Sequence, residues 1–183
     1  MINNPEKILK TLDKHLQAEV RLILYGRAAL VLGFEDAPQE FGATMDVDAI
    51  LPLAEMPQIE VNDDFWNAVE KTNRELEPTG LYITHLFCDD QVILSADWLS
   101  HIRPVRLSCS HLKLYRPGTH DLILTKMMRV DPQDRSDIEF LLKQDDVQLS
   151  VLEEMLPHAQ VPDIPELQEA YETNRKWLRE MKK

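Results

Sequence analysis

Two aspartates one residue apart carry the clearest chemical signal in this sequence of 183 residues. Asp46 and Asp48 introduce the apolar stretch Val47–Leu51, which predicts a β-strand. Side chains alternate between the two faces of a strand, so both carboxylates are expected on the same side. Two adjacent carboxylates repel each other unless a cation lies between them. Hard divalent cations suit this arrangement, because they prefer oxygen ligands and share their remaining positions with the phosphate groups of a substrate.

A glycine at a turn between a strand and a helix is the second signal. Val20–Tyr25 predicts a strand, Gly26 ends it, and Arg27–Phe34 predicts the helix that follows. Glycine lets the backbone approach a phosphate, and the first turn of a helix offers N–H donors to an anion. Either motif alone is commonly structural, as a turn glycine or a capping aspartate. Their combination in the order strand, glycine, helix, strand favours a site for a metal-bound phosphate.

The elements that must position these residues form a mixed pattern of helices and strands. Helical spacing of apolar residues predicts helices over 5–19, 63–76 and 119–129, and three more after Asp131-Pro132, near Leu149 and after Pro165. Further strands are predicted over Leu81–Phe87, Gln91–Leu94, Val105–Leu107 and Leu112–Tyr115. This order predicts an α+β fold. Residues 1–118 are expected to form a layered α/β core, and residues 119–183 a helical C-terminal part packed on it in one compact unit.

The composition limits the classes of protein to which the chain can belong. Apolar residues make up 44% and charged residues 28%, as in soluble globular proteins. The net charge of −12, with no strongly basic segment, argues against an extensive nucleic-acid surface but allows one basic pocket for a nucleotide. Cys88 and Cys109 are too few for a disulfide framework and favour a reducing compartment. The longest apolar stretch, Ala28–Phe34, is too short to span a bilayer, so we expect a cytoplasmic protein with no membrane partner.

These motifs resemble the signature of the polymerase-β-type nucleotidyltransferase superfamily, in which Gly-Gly or Gly-Ser opens a helix and a following strand carries Asp-x-Asp or Asp-x-Glu. A second stretch strengthens the resemblance, because Asp121–Arg129 (DLILTKMMR) is followed by Asp134–Ile138 (DRSDI). The small bacterial minimal nucleotidyltransferases related to AbiEii-type toxins carry a similar helical motif in the same place. The resemblance covers roughly residues 20–143. It implies a nucleotidyltransferase-like mixed sheet flanked by helices.

The resemblance also implies an activity and roles for the first group of residues. The implied reaction transfers a nucleoside monophosphate from a nucleoside triphosphate (NTP) to an unknown hydroxyl acceptor, with Mg²⁺ as the cofactor. Asp46 and Asp48 would be catalytic residues that bind the magnesium ion, and Gly26 would shape the phosphate turn. Thr44 would be the small hydroxyl residue that precedes the strand in the nucleotide site. Members of the superfamily modify proteins, small molecules and RNA ends, so the acceptor stays open, as does the existence of a cognate antitoxin.

Two residues of the helical motif would complete the implied site. Lys126 would be a catalytic residue that contacts the nucleotide phosphates, and Asp137 corresponds to the helical aspartate near that lysine. Both also have a structural interpretation. Lys126 can lie on the solvent-exposed stripe of an amphipathic helix, and Asp137 lies near a helix start, where aspartates favour the helix dipole.

Two departures from the family signature leave a second function open. Arg27 stands where Gly or Ser usually follows the first glycine, and its guanidinium can bind a phosphate through two hydrogen bonds or its bulk can block the nucleotide. Many members carry a third carboxylate on a later strand, but Leu81–Phe87 offers Thr84 and His85 instead. A histidine there can act as a base or simply pack. The alternative function is a catalytically silent nucleotidyltransferase fold that binds a nucleotide or a protein partner.

Overall fold

A five-stranded sheet forms the centre of the first of two units in the computed structural model, which describes residues 3–144 and 146–181. This unit comprises the described part of Met1–Cys88 together with Arg103–Arg116. Its strands are β1 (Val20–Tyr25), β2 (Asp46–Leu51), β3 (Tyr82–Cys88), β4 (Arg103–Pro104) and β5 (Leu112–Arg116). Their order across the sheet is β3-β2-β1-β5-β4. Pairs β1–β5 and β2–β3 are parallel, whereas β1–β2 and β4–β5 are antiparallel, so the sheet is mixed and the predicted α+β class is confirmed.

The helices of the first unit begin where the sequence provides capping side chains. They are α1 (Asn4–His15), α2 (Gly26–Gly33), α3 (Met56–Glu60) and α4 (Asp63–Leu76). The side chain of Asn3 accepts a hydrogen bond from the Glu6 N–H at the start of α1, and Asn62 accepts one from the Phe65 N–H at the start of α4. The buried apolar faces of α1 and α4 pack against each other, and α1 also contacts β2, the strand that carries the two aspartates.

The second unit is helical and comprises Asp89–Ile102 with the described part of Pro117–Lys183. Its helices are α5 (Thr119–Lys126), α6 (Pro132–Leu141), α7 (Leu149–Met155) and α8 (Pro165–Glu180). The predicted start of α6 is confirmed, because the Asp131 side chain accepts hydrogen bonds from the backbone N–H groups of Gln133 and Asp134. Helices therefore follow one another along the C-terminal part, as the sequence predicted.

Two predicted strands are wrong. Gln91 ends a 3-10 turn that begins at Asp89, and Leu94 forms only an isolated bridge with Gln160. The apolar run over 92–94 is buried core of the helical unit, and an apolar run of that length does not distinguish a strand from other buried chain. The strand predicted over Val105–Leu107 starts two residues earlier, at Arg103–Pro104.

Two predicted helices end earlier than their apolar spacing suggested. The first ends at His15 instead of residue 19, because the Asp64 carboxylate accepts hydrogen bonds from the N–H groups of Gln17 and Ala18 and turns the chain towards β1. The helix predicted over 119–129 ends at Lys126. After Lys126 the chain leaves the helical conformation and is extended at Asp131, whose side chain caps α6.

The units do not follow the division expected from the sequence at every point. Residues 89–102, which were expected in the N-terminal core, belong to the helical unit. That residues 1–118 and 119–183 form two separate parts of the protein stays a prediction. None of the helices that the structure describes is both long enough and apolar enough to cross a membrane.

Candidate functional site

The two aspartates lie on one face of β2, as the alternation of the strand predicts. Asp46 and Asp48 are both partly exposed, whereas the intervening Val47 and the following Ala49 are fully buried. The side chain of Asp48 is 21% exposed, so its carboxylate is reachable yet well enclosed. Asp48 pairs with Tyr25 of β1, the residue that immediately precedes Gly26.

Gly26 and Asp48 approach each other closely at the start of α2. Gly26 has a φ of 65°, a left-handed conformation that suits glycine. A side-chain carbon placed on Gly26 would lie 3.4 Å from Oδ2 of Asp48. No side chain caps α2, and its first turn contains no acidic residue, so the start of this helix suits an anion. A carboxylate beside such a helix start is a geometry in which a cation can bridge the carboxylate and a phosphate.

A threonine hydroxyl holds one oxygen of Asp46. Thr44 lies two residues before it, and its Oγ1 donates to Oδ1 of Asp46 at 2.8 Å. Thr44 follows a 3-10 turn over Gln39–Ala43, which brings its extended backbone to the start of β2. Thr44 thus lies beside Asp46, where it orients the carboxylate.

Asp48 is held from the neighbouring strand β3. The hydroxyl of Thr84 donates to Oδ1 of Asp48 at 2.8 Å, and the backbone N–H of His85 donates to the same oxygen at 3.3 Å. Nδ1 of His85 also lies 3.2 Å from Oδ1. Because a carboxylate can only accept, the histidine tautomer that makes this bond carries its hydrogen on Nδ1 and leaves a lone pair on Nε2.

Aromatic packing fixes the ring of His85. The ring is nearly parallel to that of Phe87, with an interplanar angle of 16° and centroids 5.0 Å apart. Phe87 in turn lies beside Tyr25, with ring centroids 6.3 Å apart. The side chain of His85 remains 56% exposed, so the imidazole is oriented by two contacts and still accessible to a ligand.

Arg27 contacts the turn that precedes β2. Its guanidinium lies over the ring of Phe41, with 4.7 Å between Cζ and the ring centroid. Phe41 is buried within the turn Gln39–Ala43, so Arg27 connects the first turn of α2 to the segment that leads into Thr44. The role predicted for Arg27 as a phosphate ligand stays a prediction.

The donor set of β2 fits a hard divalent cation that shares its ligands with a substrate. Asp46 and Asp48 offer carboxylate oxygens on one face, and hydroxyl donors orient both groups. Among the residues that the structure describes, no group of three or more His, Cys, Asp or Glu side chains forms a metal cage. A cation at β2 would therefore take its other ligands from water and phosphate, as magnesium commonly does.

The helical motif of the second unit forms a buried ion-pair network. Lys126, at the end of α5, is only 8% exposed, and its Nζ lies 2.6 Å from Oδ2 of Asp137 and 3.0 Å from Oδ1 of Asp134. Asp137 is fully buried. The interpretation of Lys126 as a solvent-exposed residue is therefore wrong. Asp131, rather than Asp137, caps α6, so helix capping does not explain the acid at position 137.

Asp134 and Asn174 extend this network. Arg129 donates to Oδ2 of Asp134 from Nε at 2.9 Å and has a second ion-pair contact with it through a terminal nitrogen at 2.8 Å. The buried Asn174 of α8 donates to the backbone carbonyls of Met127 and Arg129 at 3.2 and 2.9 Å. The network thus fixes the connection between α5 and α6 through charged and amide side chains.

Asp121 is a buried acid of the helical unit. It is 1% exposed, and its Oδ1 accepts a hydrogen bond from the Ser95 N–H at 2.7 Å. Its Oδ2 is buried with no hydrogen-bond partner. Burial raises the pKa of the Asp121 carboxyl, and the hydrogen bond from Ser95 only partly offsets this effect.

The structure brings the predicted site residues together in two groups. Gly26, Thr44, Asp46 and Asp48 meet in the first unit, whereas Lys126 and Asp137 pair in the second. From the sequence, Thr84 was noted only on a strand that lacks the expected acid, and Asp134 was interpreted only as an acid near a helix start. The eight-residue spacing from Lys126 to Asp134 was visible in the helical motif, but no sequence pattern indicated that Thr84 contacts Asp48.

A comparison with protein families identifies the family of this chain. The model of the DUF6036 family, described as a nucleotidyltransferase of unknown function, matches residues 5–183. The chain therefore belongs to this family, and the resemblance to the nucleotidyltransferase superfamily is confirmed at that level. No curated protein and no solved structure matches the chain significantly.

Proposed function

We propose that the protein transfers a nucleoside monophosphate from an NTP to a hydroxyl group of an acceptor, in a reaction that depends on Mg²⁺. The observation that carries the proposal is the position of Asp48, whose Oδ2 faces Gly26 at the uncapped start of α2. A triphosphate at this helix start would receive N–H donors, while Asp46 and Asp48 hold the cation that accompanies its phosphates. Membership of the nucleotidyltransferase family supports the same reaction.

The proposed residues act mainly by binding and orientation. The acceptor oxygen forms a bond to the α-phosphorus, the bond from that phosphorus to the bridging oxygen breaks, and pyrophosphate leaves. When bound, Mg²⁺ would neutralise phosphate charge and lower the barrier to in-line attack. Asp46 and Asp48 would hold it, and the N–H groups after Gly26 would orient the phosphates. Arg27 would add a cationic contact at the same helix start.

The acceptor hydroxyl must also lose a proton, and His85 is the residue we assign to receive it. Its Nδ1 is oriented by Asp48, and its Nε2 carries the lone pair in that tautomer. Stacking on Phe87 holds the ring while leaving it accessible. Such a dyad of carboxylate and imidazole provides a general base without a third carboxylate.

Lys126 and Asp137 are proposed to serve the reaction from the helical motif. In the described geometry, two carboxylates engage the ammonium of Lys126, so its first role is to hold α5 and α6 together. A contact between Lys126 and the nucleotide phosphates remains the more specific proposal. It would require the ammonium to share its hydrogens between Asp137 and an anion, which its three donors allow.

The finer assignment within the superfamily is also a proposal. The motif from Asp121 to Asp137 supports a relation to the bacterial AbiEii-type toxins, and hence a cytoplasmic enzyme that acts in a toxin–antitoxin-like pair. The acceptor is a protein, a small molecule or an RNA end. The net charge of −12 favours the first two, because an extensive RNA contact requires many basic residues.

The experiment that tests the proposal measures Mg²⁺-dependent NTP binding and then transfer of label from an α-³²P-labelled NTP. Binding of the four NTPs is measured by calorimetry on the wild-type protein and on the Asp46→Asn and Asp48→Asn variants. Asp63→Asn, an exposed aspartate of α4 in the same unit, is the matched control. We expect binding and transfer to be lost in the first two variants and kept in the control. Transfer that persists in a folded Asp46→Asn protein would disprove the assignment.

A second candidate function is a nucleotide-binding module without transferase activity. The observation that favours it is the absence, among the described residues, of a group of three metal-binding side chains, since β3 presents Thr84 and His85 to Asp48 instead of an acid. Mg²⁺-dependent NTP binding with no transfer to proteins, metabolites or RNA from cell extract would support this alternative. No NTP binding at all by the folded protein would argue against both functions.

A further inference from the structure

The register between β2 and β3 is irregular opposite Asp48. Val47 pairs with Ile83, and Ala49 pairs with Leu86, so Thr84 and His85 together face the single residue Asp48. This is a β-bulge, in which two residues of one strand oppose one residue of the other. In a regular pair, adjacent residues would point to opposite faces of the sheet. The bulge instead lets both Thr84 and His85 bond to the same carboxylate.

The donors of the bulge all converge on one oxygen of Asp48. Oδ1 accepts from the Thr84 hydroxyl, from the His85 N–H and from Nδ1 of His85, at 2.8, 3.3 and 3.2 Å. A carboxylate oxygen has only two lone pairs, so three donors saturate Oδ1 and leave no room there for a cation. Oδ2 lies on the other side, towards Gly26. The bulge therefore decides which oxygen of Asp48 is left for a cation.

Thr84 is the donor with the shortest contact and the one that depends on a side-chain hydroxyl. The backbone N–H of His85 stays in place whatever the side chains are. Without the hydroxyl of Thr84, the Asp48 carboxylate would keep only the two longer hydrogen bonds and could rotate about its last torsion. Thr44 has the same relation to Asp46, at the same distance of 2.8 Å, so each aspartate has one oxygen held by a threonine.

We propose that Thr84 is a positioning residue that sets the cation affinity of the site by fixing Asp48. This inference rests on the proposed function, because it assumes that Asp48 binds a cation together with a triphosphate. Hydrogen bonds that orient a metal-binding carboxylate commonly change metal affinity by about tenfold or more. Thr84 thus contributes from the place on β3 where an acid was expected, through geometry instead of charge.

The test measures Mn²⁺ binding by electron paramagnetic resonance on the full chain, in the presence of a non-hydrolysable α,β-methylene NTP analogue. Thr84→Val keeps the branched shape and removes the hydroxyl, and Thr84→Ser keeps the hydroxyl. Thr11→Val is the matched control, because the Thr11 hydroxyl donates to the Lys7 carbonyl within α1, away from β2 and β3. We expect Mn²⁺ affinity to fall about tenfold in Thr84→Val and to change little in Thr84→Ser and Thr11→Val.

The outcomes separate this inference from the proposed function. If the wild-type protein binds no Mn²⁺ with any of the four analogues, both the proposed function and this inference fail. If the wild type binds Mn²⁺ and Thr84→Val binds it equally well, only the role of Thr84 is wrong. Thermal unfolding of each variant provides the structural control, since Thr84 is exposed and valine is a good strand residue. A weakened Mn²⁺ signal at unchanged unfolding temperature, restored by serine, supports the positioning role.

Discussion

Oδ2 of Asp48 lies 3.4 Å from the position that a side-chain carbon on Gly26 would occupy. This distance is an ordinary van der Waals contact, so a methyl group would fit beside the carboxylate but would take the space through which a cation reaches it. The left-handed conformation of Gly26, with a φ of 65°, adds a separate cost for any other residue. The backbone cost and the steric effect on the cation can be distinguished with Gly80, which has the same left-handed conformation but lies beside Met45.

Gly26→Ala is expected to lose both stability and Mg²⁺-dependent NTP binding. The left-handed backbone should cost about 1–2 kcal/mol in the free energy of unfolding, and the added methyl should weaken binding further. Gly80→Ala is the control, because Gly80 has a φ of 68° and faces only the flexible end of Met45. Urea unfolding and calorimetry with NTP measure the two quantities. Equal losses of NTP binding in both variants would mean that Gly26 acts only through stability.

Lys126→Met is expected to destabilise the protein by about 3 kcal/mol or more, because it leaves Asp137 and Asp134 buried with less compensating charge. Lys10→Met is the control, since Lys10 forms an exposed pair with Glu6 that should contribute about 0.3–0.5 kcal/mol. Urea unfolding measures both. The double variant Lys126→Met/Asp137→Asn should recover part of the loss, because it removes one of the two buried negative charges. The Asp137→Asn single variant completes the comparison. A loss of stability in the double variant equal to the sum of the Lys126→Met and Asp137→Asn losses would contradict the network.

Several elements of the fold were predictable from the sequence because their signals are local. The bounds of β1 and α4 agree with the predictions, since β1 is a mostly apolar run that Gly26 ends and α4 has an asparagine cap followed by regular apolar spacing. The same holds for the pairing of Asp46 and Asp48 on one face, which follows from strand alternation alone.

Other parts of the site depend on contacts between distant residues. The bulge at Thr84 and His85 arises from the register between β2 and β3, which no local pattern encodes. The burial of Lys126 depends on α6 returning alongside α5, and the helical spacing alone left both an exposed position and a role in the site open. The apolar run over 92–94 was misassigned for a related reason, since its partner Gln160 lies far along the chain.

The Asp13 carboxylate should make stability depend on pH. It accepts hydrogen bonds from the backbone N–H groups of Ser110, His111 and Leu112 at 2.7–2.8 Å. Burial alone would raise the pKa of Asp13, but these hydrogen bonds outweigh it and hold the pKa below its ordinary value of 3.8. A lowered pKa in the folded state stabilises the protein above the unfolded value, and this contribution is lost as the pH falls through the folded value.

Asp13→Asn is therefore expected to reduce the free energy of unfolding at pH 7, by about 0.5–1 kcal/mol, because solvent screens this partly exposed carboxylate. The difference from the wild type should shrink as the pH is lowered below 3.8, because the wild-type carboxylate then becomes protonated as well. Urea unfolding at a series of pH values between 7 and 3 measures this difference. A difference that stays constant over the whole series would exclude the ionised carboxylate as its source.

His85 provides a direct test of the proposed chemistry, because one substitution can distinguish the role of its Nδ1 from the role of its Nε2. His85→Ala is expected to slow transfer by about a hundredfold or more, as for the loss of a general base, with little change in NTP affinity. His85→Asn keeps a donor near the position of Nδ1, and hence the contact with Asp48, but has no counterpart of Nε2. Both variants should therefore be equally slow in single-turnover transfer, while the exposed His158→Ala control behaves as the wild type. Full activity in His85→Asn would show that His85 serves only to hold Asp48 and that the proton leaves by another route.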